Sequence, residues 1–269
     1  MSFLEHICVL IITFNEDPNI GRTLDALAAF SEIVVLDSGS TDDTQAIVAR
    51  YANARLVTRA FDDHASQWNF ALCQTGITRP WVLALDADYV LPAACVNEIA
   101  QLAPSDDIDG FAAGFRYCIG GRPLSATLYP SATVLYRRTQ ARYIQTGHTQ
   151  RIVVTGATGM LRARIDHDDR KPLARWLDSQ RKYARLEACY LVNAAPASLG
   201  RTGRLRRMAW PAPLLVFVYT LIVKRCILNG RVGWFYVLQR TLAEIMIALE
   251  VLEARLGAQR SQTRRQRRG

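Results

Sequence analysis

The chain has 269 residues, half of them apolar and 21% charged, with 33 Lys and Arg against 24 Asp and Glu. That length suits one full domain with an appendage, and the apolar half excludes a disordered polyampholyte. No run of about 18 apolar residues occurs, so no transmembrane helix is expected, and Met1 to Ile12 lacks the basic start of a secretory signal. Six cysteines lie far apart without a Cys-x-x-Cys pair, which argues against a zinc ribbon or disulfide scaffold and for a reducing compartment.

Charge divides the molecule. Residues 1–110 hold 5 Lys and Arg against 16 Asp and Glu, and residues 111–269 hold 28 against 8. A basic half can face phosphorylated substrates or an anionic membrane. The acidic half argues against a dedicated nucleic-acid binder, and no basic motif interleaved with aromatics supports one.

The N-terminal half alternates strands and helices. His6 to Ile12 is an apolar run of the length of a strand buried on both faces. Asp17-Pro18 then opens a helix reaching about Phe30, with Asp as N-cap and Pro at its first position. Glu32 to Asp37 is a second buried strand, followed by the Ser38 to Thr41 turn and a helix from Asp42 to Tyr51. Ala54 to Thr58 is a third strand, His64 to Thr75 a helix, Trp81 to Leu85 a fourth strand, and Pro92 to Leu102 a helix. Such spacing means βαβ units, an α/β fold and a mostly parallel sheet. Ligands bind beyond the carboxyl ends of the strands in such sheets. Those ends carry Thr13 and Asn15, Asp37, and Asp86 with Asp88.

Residues 109–165 read as short strands around Gly120-Gly121 and Gly156, and Lys171 to Asn193 as a helix. Gly200 to Arg207 reads as a basic linker. Leu214 to Val223 is an apolar helix of about 15 Å, half a bilayer's hydrocarbon core, and Trp234 to Leu256 a second amphipathic stretch. The arginine-rich end reads as disordered. The expected organisation is a catalytic domain over 1–200, membrane-proximal amphipathic helices over 201–259 and a basic tail over 260–269.

Asp86 and Asp88, two residues apart at a strand end, can share one hard divalent cation, Mg²⁺ or Mn²⁺, that in turn holds a diphosphate. Asp37 at a strand tip can accept hydrogen bonds from a nucleobase N–H or a ribose hydroxyl. Asn69 follows on the helix after His64, as surface polarity or as part of the pocket. No Gly-x-Gly-x-x-Gly or Gly-x-x-x-x-Gly-Lys-Ser/Thr loop occurs, so dehydrogenase and P-loop readings fail. His148 and the Asp166-His-Asp-Asp169 cluster are the general acid/base candidates of the second half.

The ordered set Ile-Thr-Phe-Asn-Glu16, Val-Leu-Asp-Ser-Gly-Ser-Thr-Asp-Asp-Thr44, Asn69 and Leu-Ala-Leu-Asp-Ala-Asp88 resembles the family-2 glycosyltransferases of GT-A fold. The stretch His-Asp-Asp-Arg-Lys-Pro-Leu173, the Gln-x-x-Tyr-Ala184 helix and Asn-Gly-Arg-Val-Gly-Trp234 look like the branch of bacterial lipopolysaccharide-core and capsule enzymes. The resemblance implies that Thr13, Asn15, Glu16, Asp37 and Asn69 line the nucleotide pocket. Asp86 would touch ribose or metal, and Asp88 would bind the cation. The branch often has His-Glu where this chain has His148-Thr149, so either His148, Asp166 or another acid serves as base, or the enzyme is impaired.

The implied activity is inverting transfer of a sugar from a nucleotide-diphosphate donor, UDP before GDP, to a cell-envelope glycan or lipid-linked acceptor. Its expected place is the cytoplasmic face of the bacterial inner membrane, held there as a peripheral protein. The rivals are a catalytically silent nucleotide-sugar-binding protein, favoured by Thr149, and a sugar nucleotidylyltransferase, whose Gly-rich basic loop is missing after the first strand.

Overall fold

The computed structural model describes the backbone of residues 2–146 and 149–266, and side chains over 2–145 and 150–257. Two compact units make up the chain. One comprises Met1–Pro123 with Thr127–Lys171, the other Leu124–Ala126 with Pro172–Gly269. The division falls at Lys171–Pro172, where the sequence put it at residue 200.

The first unit is built on a sheet whose opening strands are β1 (Ile7–Thr13), β2 (Ile33–Asp37), β3 (Ala54–Thr58) and β4 (Trp81–Asp86). They lie in the order β3-β2-β1-β4, all parallel, as the alternation of strand and helix requires. The sheet is extended by β5 (Tyr89–Val90), β6 (Ile108–Ile119), β7 (Arg122–Pro123), β8 (Ala132–Arg137) and β11 (Ala157–His167). A separate antiparallel pair is formed by β9 (Ala141–Thr146) and β10 (Thr149–Val154). β8 enters antiparallel between β4 and β6, and β11 then runs parallel to β6. The region expected to hold short strands thus contains two long ones, because their interrupted apolar pattern follows a register shift in β11 rather than a strand end.

Strand alternation sorts the core into two layers. Ile7, Val9, Ile11, Ile33 and Val35 pack with α1 (Ile20–Asp25), α2 (Thr44–Val48) and α4 (Ala93–Ala100). Cys8, Leu10, Val34 and Leu36 pack on the other face with α3 (His64–Gln74). α3 starts where expected, with Asp63 accepting from the Ser66 N–H as N-cap. α1 is shorter than predicted, starting at Ile20 with Asn19 rather than Asp17 as its N-cap. Residues 16–19 first form a turn, the Asn19 and Ile20 N–H groups both donating to the Glu16 carbonyl.

The second unit packs α5 (Leu173–Asn193), α6 (Arg201–Arg207), α7 (Pro211–Val218) and α8 (Gly230–Gln266) around Ala188, Leu191, Leu199, Ala248 and Val251. The segment expected to be a basic linker is helical. Arg206 turns inward, 3.0 Å from a Glu244 oxygen through Nε and 3.2 Å from Glu187 through Nη1. Charge-assisted pairing of both carboxylates satisfies a guanidinium that a linker would leave in water. α7 widens into a π turn over Tyr219–Val223, and a 3-10 turn at Cys226–Asn229 leads into α8. The helix continues to Gln266, into the arginine-rich stretch expected to be disordered.

Gly233 explains one element of the Asn-Gly-Arg-Val-Gly-Trp234 segment. A Cβ there would lie 1.8 Å from the Cys226 carbonyl oxygen. Gly233→Ala is therefore expected to destabilise the helical unit by on the order of 3 kcal/mol. Gly257→Ala, in the same helix with open space around it, should stabilise by about 0.5–1 kcal/mol. Chemical denaturation of the two variants checks the pair.

Candidate functional site

The parallel strands end at one edge, and their loops are laced together there. Asn15 adopts a left-handed backbone (φ 55°), which its short polar side chain tolerates. Its N–H donates to Ser40 Oγ at 2.7 Å, and its Oδ1 accepts from the Thr41 N–H at 2.7 Å. The Glu16 N–H donates to Thr44 Oγ1 at 2.7 Å. Asp37, fully buried, accepts from the Gly39 and Ser40 N–H groups, Ser40 Oγ and Gln45 Nε2. Thr13 Oγ1, beside it in register, is buried with no hydrogen-bond partner.

Asp86 and Asp88 leave β4 at this edge. Burial first, and the neighbouring Asp88 charge second, push the Asp86 carboxyl up to about 6. Burial also works against ionised Asp88, but the His167 ring, with Nε2 3.2 Å from Asp88 Oδ2, holds that carboxyl below its ordinary value. His167 is correspondingly raised, since its pairing with Asp88 outweighs the cost of burying the imidazolium. Tyr89, Tyr117 and Tyr129 surround its ring at 4.8–5.3 Å between centroids.

The stretch after β11 closes the cluster. Lys171 Nζ lies 2.6 Å from Glu16 Oε1 and 3.4 Å from Asp169 Oδ1. Arg22 donates to Asp168 Oδ2 at 2.7 Å and to the Asp168 carbonyl at 2.8 Å. Asn19 holds Glu16 and Asp169 through Nδ2, and its Oδ1 accepts the Arg170 N–H at 2.9 Å. Glu16, Asp86, Asp88, His167 and Lys171 are thus one electrostatic group, each acting on its neighbours.

A hard divalent cation fits this edge. Asp88 Oδ1 is buried without a hydrogen-bond partner among the described residues, and burial and the Asp88 charge push up the Asp86 carboxyl beside it. No three of His, Cys, Asp and Glu among the described residues stand as a complete metal-binding group.

Two candidates stand elsewhere. Asn69 gives both ends of its amide to the Tyr143 backbone, at 2.8 and 2.9 Å, so it clamps α3 to β9 rather than facing the strand edge. Asp166 is gripped by Arg116 through two parallel bonds of 2.6 and 2.8 Å. It lines a depression with Arg22, Asp168 and Arg170, on the face opposite to His167 by strand alternation. His148 lies outside the described residues. His167 entered the sequence reading only as a member of the Asp166-His-Asp-Asp169 cluster, and Lys171 only within the stretch ending at Leu173; neither had a role of its own. The available signal was that alternate residues of a strand ending in Asp-His-Asp-Asp must point opposite ways.

Comparison with known proteins places this edge in context. The family model described as glycosyl transferase family 2 matches residues 8–168. A lipopolysaccharide core biosynthesis glycosyltransferase, LpsC of Rhizobium meliloti, is 38% identical over 116 residues, covering 41% of this chain and 42% of that protein. An uncharacterized glycosyltransferase of Rickettsia bellii is 30% identical over 146 residues, 52% of this chain and 49% of the relative. The matched stretch therefore spans less than half the length of either relative. Among solved structures, Staphylococcus aureus TarS 1–349 in complex with UDP-GlcNAc is similar over 93% of this chain and 92% of its own (17% identity, TM-score 0.47). Glucosyl-3-phosphoglycerate synthase from Mycobacterium tuberculosis, in complex with Mn²⁺, UDP and phosphoglyceric acid, is similar over 68% of this chain and 79% of its own (17% identity, TM-score 0.44). The family match runs from β1 to the end of β11 and takes in Glu16, Asp86, Asp88 and His167 of the edge cluster, so the chain belongs to glycosyl transferase family 2.

Proposed function

We propose that the protein is an inverting glycosyltransferase that moves a sugar from a UDP-linked donor to a lipopolysaccharide-core or related cell-envelope acceptor. The observation that carries this reading is the convergence of Asp86, Asp88, Glu16, His167 and Lys171 at the strand edge of a family-2 glycosyltransferase. Carboxylates held together against their mutual repulsion are poised for a divalent cation.

In the proposed reaction an acceptor hydroxyl attacks the anomeric carbon in line, the bond from that carbon to the diphosphate oxygen breaks, and nucleoside diphosphate leaves. Thr13, Asn15 and Asp37 form the floor for the nucleoside. A Mg²⁺ or Mn²⁺ bound by Asp86 and Asp88 would supply positive charge to the leaving diphosphate. Lys171, now on Glu16 and Asp169, is the side chain able to exchange a carboxylate for a phosphate oxygen. His167 fixes Asp88 in its ionised form. The acceptor's proton goes to a base, and His148 takes that role in this reading, because both Asp166 oxygens are occupied by Arg116.

Asp88→Asn is expected to abolish Mn²⁺-dependent hydrolysis of the donor while leaving the fold intact. Calorimetric titration with UDP and Mn²⁺ gives the check; unchanged affinity would remove the metal role. Donor turnover by the unaltered protein also separates the enzyme from a silent nucleotide-sugar-binding protein, the reading favoured by Thr149.

Asp86 carries a pH signature. Its folded value of about 6 lies above the ordinary 3.8, so its ionised form opposes folding at neutral pH. Asp86→Asn should stabilise the ligand-free protein by on the order of 1–3 kcal/mol near neutral pH. The gain fades as pH falls through about 6, where the unaltered carboxyl takes up its proton. Thermal melts across that range test the sign.

For the base, His148→Ala is expected to lower kcat about 10²–10⁴-fold with little change in donor affinity. Asp166→Asn should lower stability instead, by loosening Arg116. A large kcat loss from Asp166→Asn with His148→Ala mild would transfer the role to the aspartate.

A further inference from the structure

The helical unit carries an apolar surface that its own packing leaves uncovered. Between Trp234 and Leu252 every exposed residue of α8 is apolar, with Phe235, Leu238, Leu242, Ile245, Leu249 and Leu252 at alternate spacings of three and four. The opposite stripe, including Val237, Glu244, Ala248 and Val251, is the buried one. α7 and its π turn repeat the arrangement, with Leu214, Val218 and Ile222 exposed against buried Pro211 and Leu221. The connecting 3-10 turn exposes Leu228 at 76%, and Trp210 ahead of α7 is exposed at 69%. Soluble monomers rarely show contiguous apolar patches of this extent.

Charge identifies what covers it. From Ala188 to Ala243 the chain holds eight Lys and Arg and no Asp or Glu. Arg206 is spent on Glu187 and Glu244, whereas Arg201, Arg204, Arg225 and Arg231 are exposed around the apolar surface. We propose that α7, the following turns and the outer stripe of α8 form a docking surface for an anionic lipid bilayer, lying in the plane of the interface. The three-four spacing on α8 would also suit a second copy of the helix. A helix pair, however, leaves the α7 face and Leu228 bare, and it brings two basic segments together.

The geometry also selects lying flat over crossing. No single helix among the described residues is long and apolar enough to cross a membrane, and α7 and α8 meet at a 67° bend. The bend carries Lys224 and Arg225, the latter in a left-handed conformation. A hairpin inserted tip-first would drag both charges into hydrocarbon. Laid flat, the same residues reach headgroups while the apolar faces sink about 5–10 Å.

Full-length protein is to be sedimented with vesicles of phosphatidylcholine alone and of phosphatidylcholine with phosphatidylglycerol. We expect firm association with the anionic vesicles at low salt, partial release at high salt, and weak binding to the neutral ones. Lys224→Gln with Arg225→Gln should lower partitioning about 30-fold, each basic residue near an anionic leaflet contributing about fivefold. Leu242→Ser with Leu249→Ser should remove the salt-resistant fraction, and Leu228→Ser, in a turn outside the helix, should weaken it without touching helix packing. Absence of binding to anionic vesicles at low salt overturns the proposal. So does binding indifferent to all three variants, or a solution dimer abolished by the α8 substitutions in a protein that ignores vesicles. The readout needs no catalytic activity, so it stands apart from the enzyme reading.

Discussion

The first unit depends on how five ionisable groups share one sheet edge. Parallel strands deliver Glu16, Asp86 and Asp88 to the same place, where their mutual repulsion and loss of water oppose folding. Relief comes from a segment far along the chain. His167 answers Asp88, and Lys171 answers Glu16. The backbone of that segment is tied down by the Asp168 N–H to the Asp88 carbonyl and by Arg22 and Asn19. The compensation is partial, since burial and the Asp88 charge still push up the Asp86 carboxyl.

This arrangement gives the two charge halves of the sequence a physical meaning. The acidic N-terminal half supplies the strand-edge carboxylates, and basic residues of the second half that fold into the same unit, among them Arg116, Arg170 and Lys171, pair with carboxylates there. The later arginines belong to the helical unit, where a single one is drawn inward and most others stay at the surface. One composition statistic therefore reflects two separate electrostatic problems, each solved within its own unit.

What could be read from the sequence followed the range of the forces involved. The buried parallel strands were legible because each is a short continuous apolar run, and Asp37, Asp86 and Asp88 were legible as their terminal residues. The partner of Asp166, 50 residues away in sequence, was not legible from the acidic cluster around it. Nor was the partner of Asn69, whose amide is used 74 residues away. The basic run at 201–207 looked solvated because Glu187 and Glu244, which fold it inward, are distant in sequence.

The clamp at Asn69 has a consequence for how the protein can diversify. The β9–β10 hairpin, whose strands flank His148 in sequence, is seated on α3 chiefly through one residue. Tyr143 receives both amide bonds on its main chain, stacks on Trp68 at 5.1 Å and reaches Tyr136 with its hydroxyl. Ala141, Ile152 and Val154 pack against the same cluster, whereas Arg142, Ile144 and Arg151 stay exposed. Those exposed positions can change without loosening the anchorage, so the outer surface of the pair is exchangeable while β1 to β4 stay as they are.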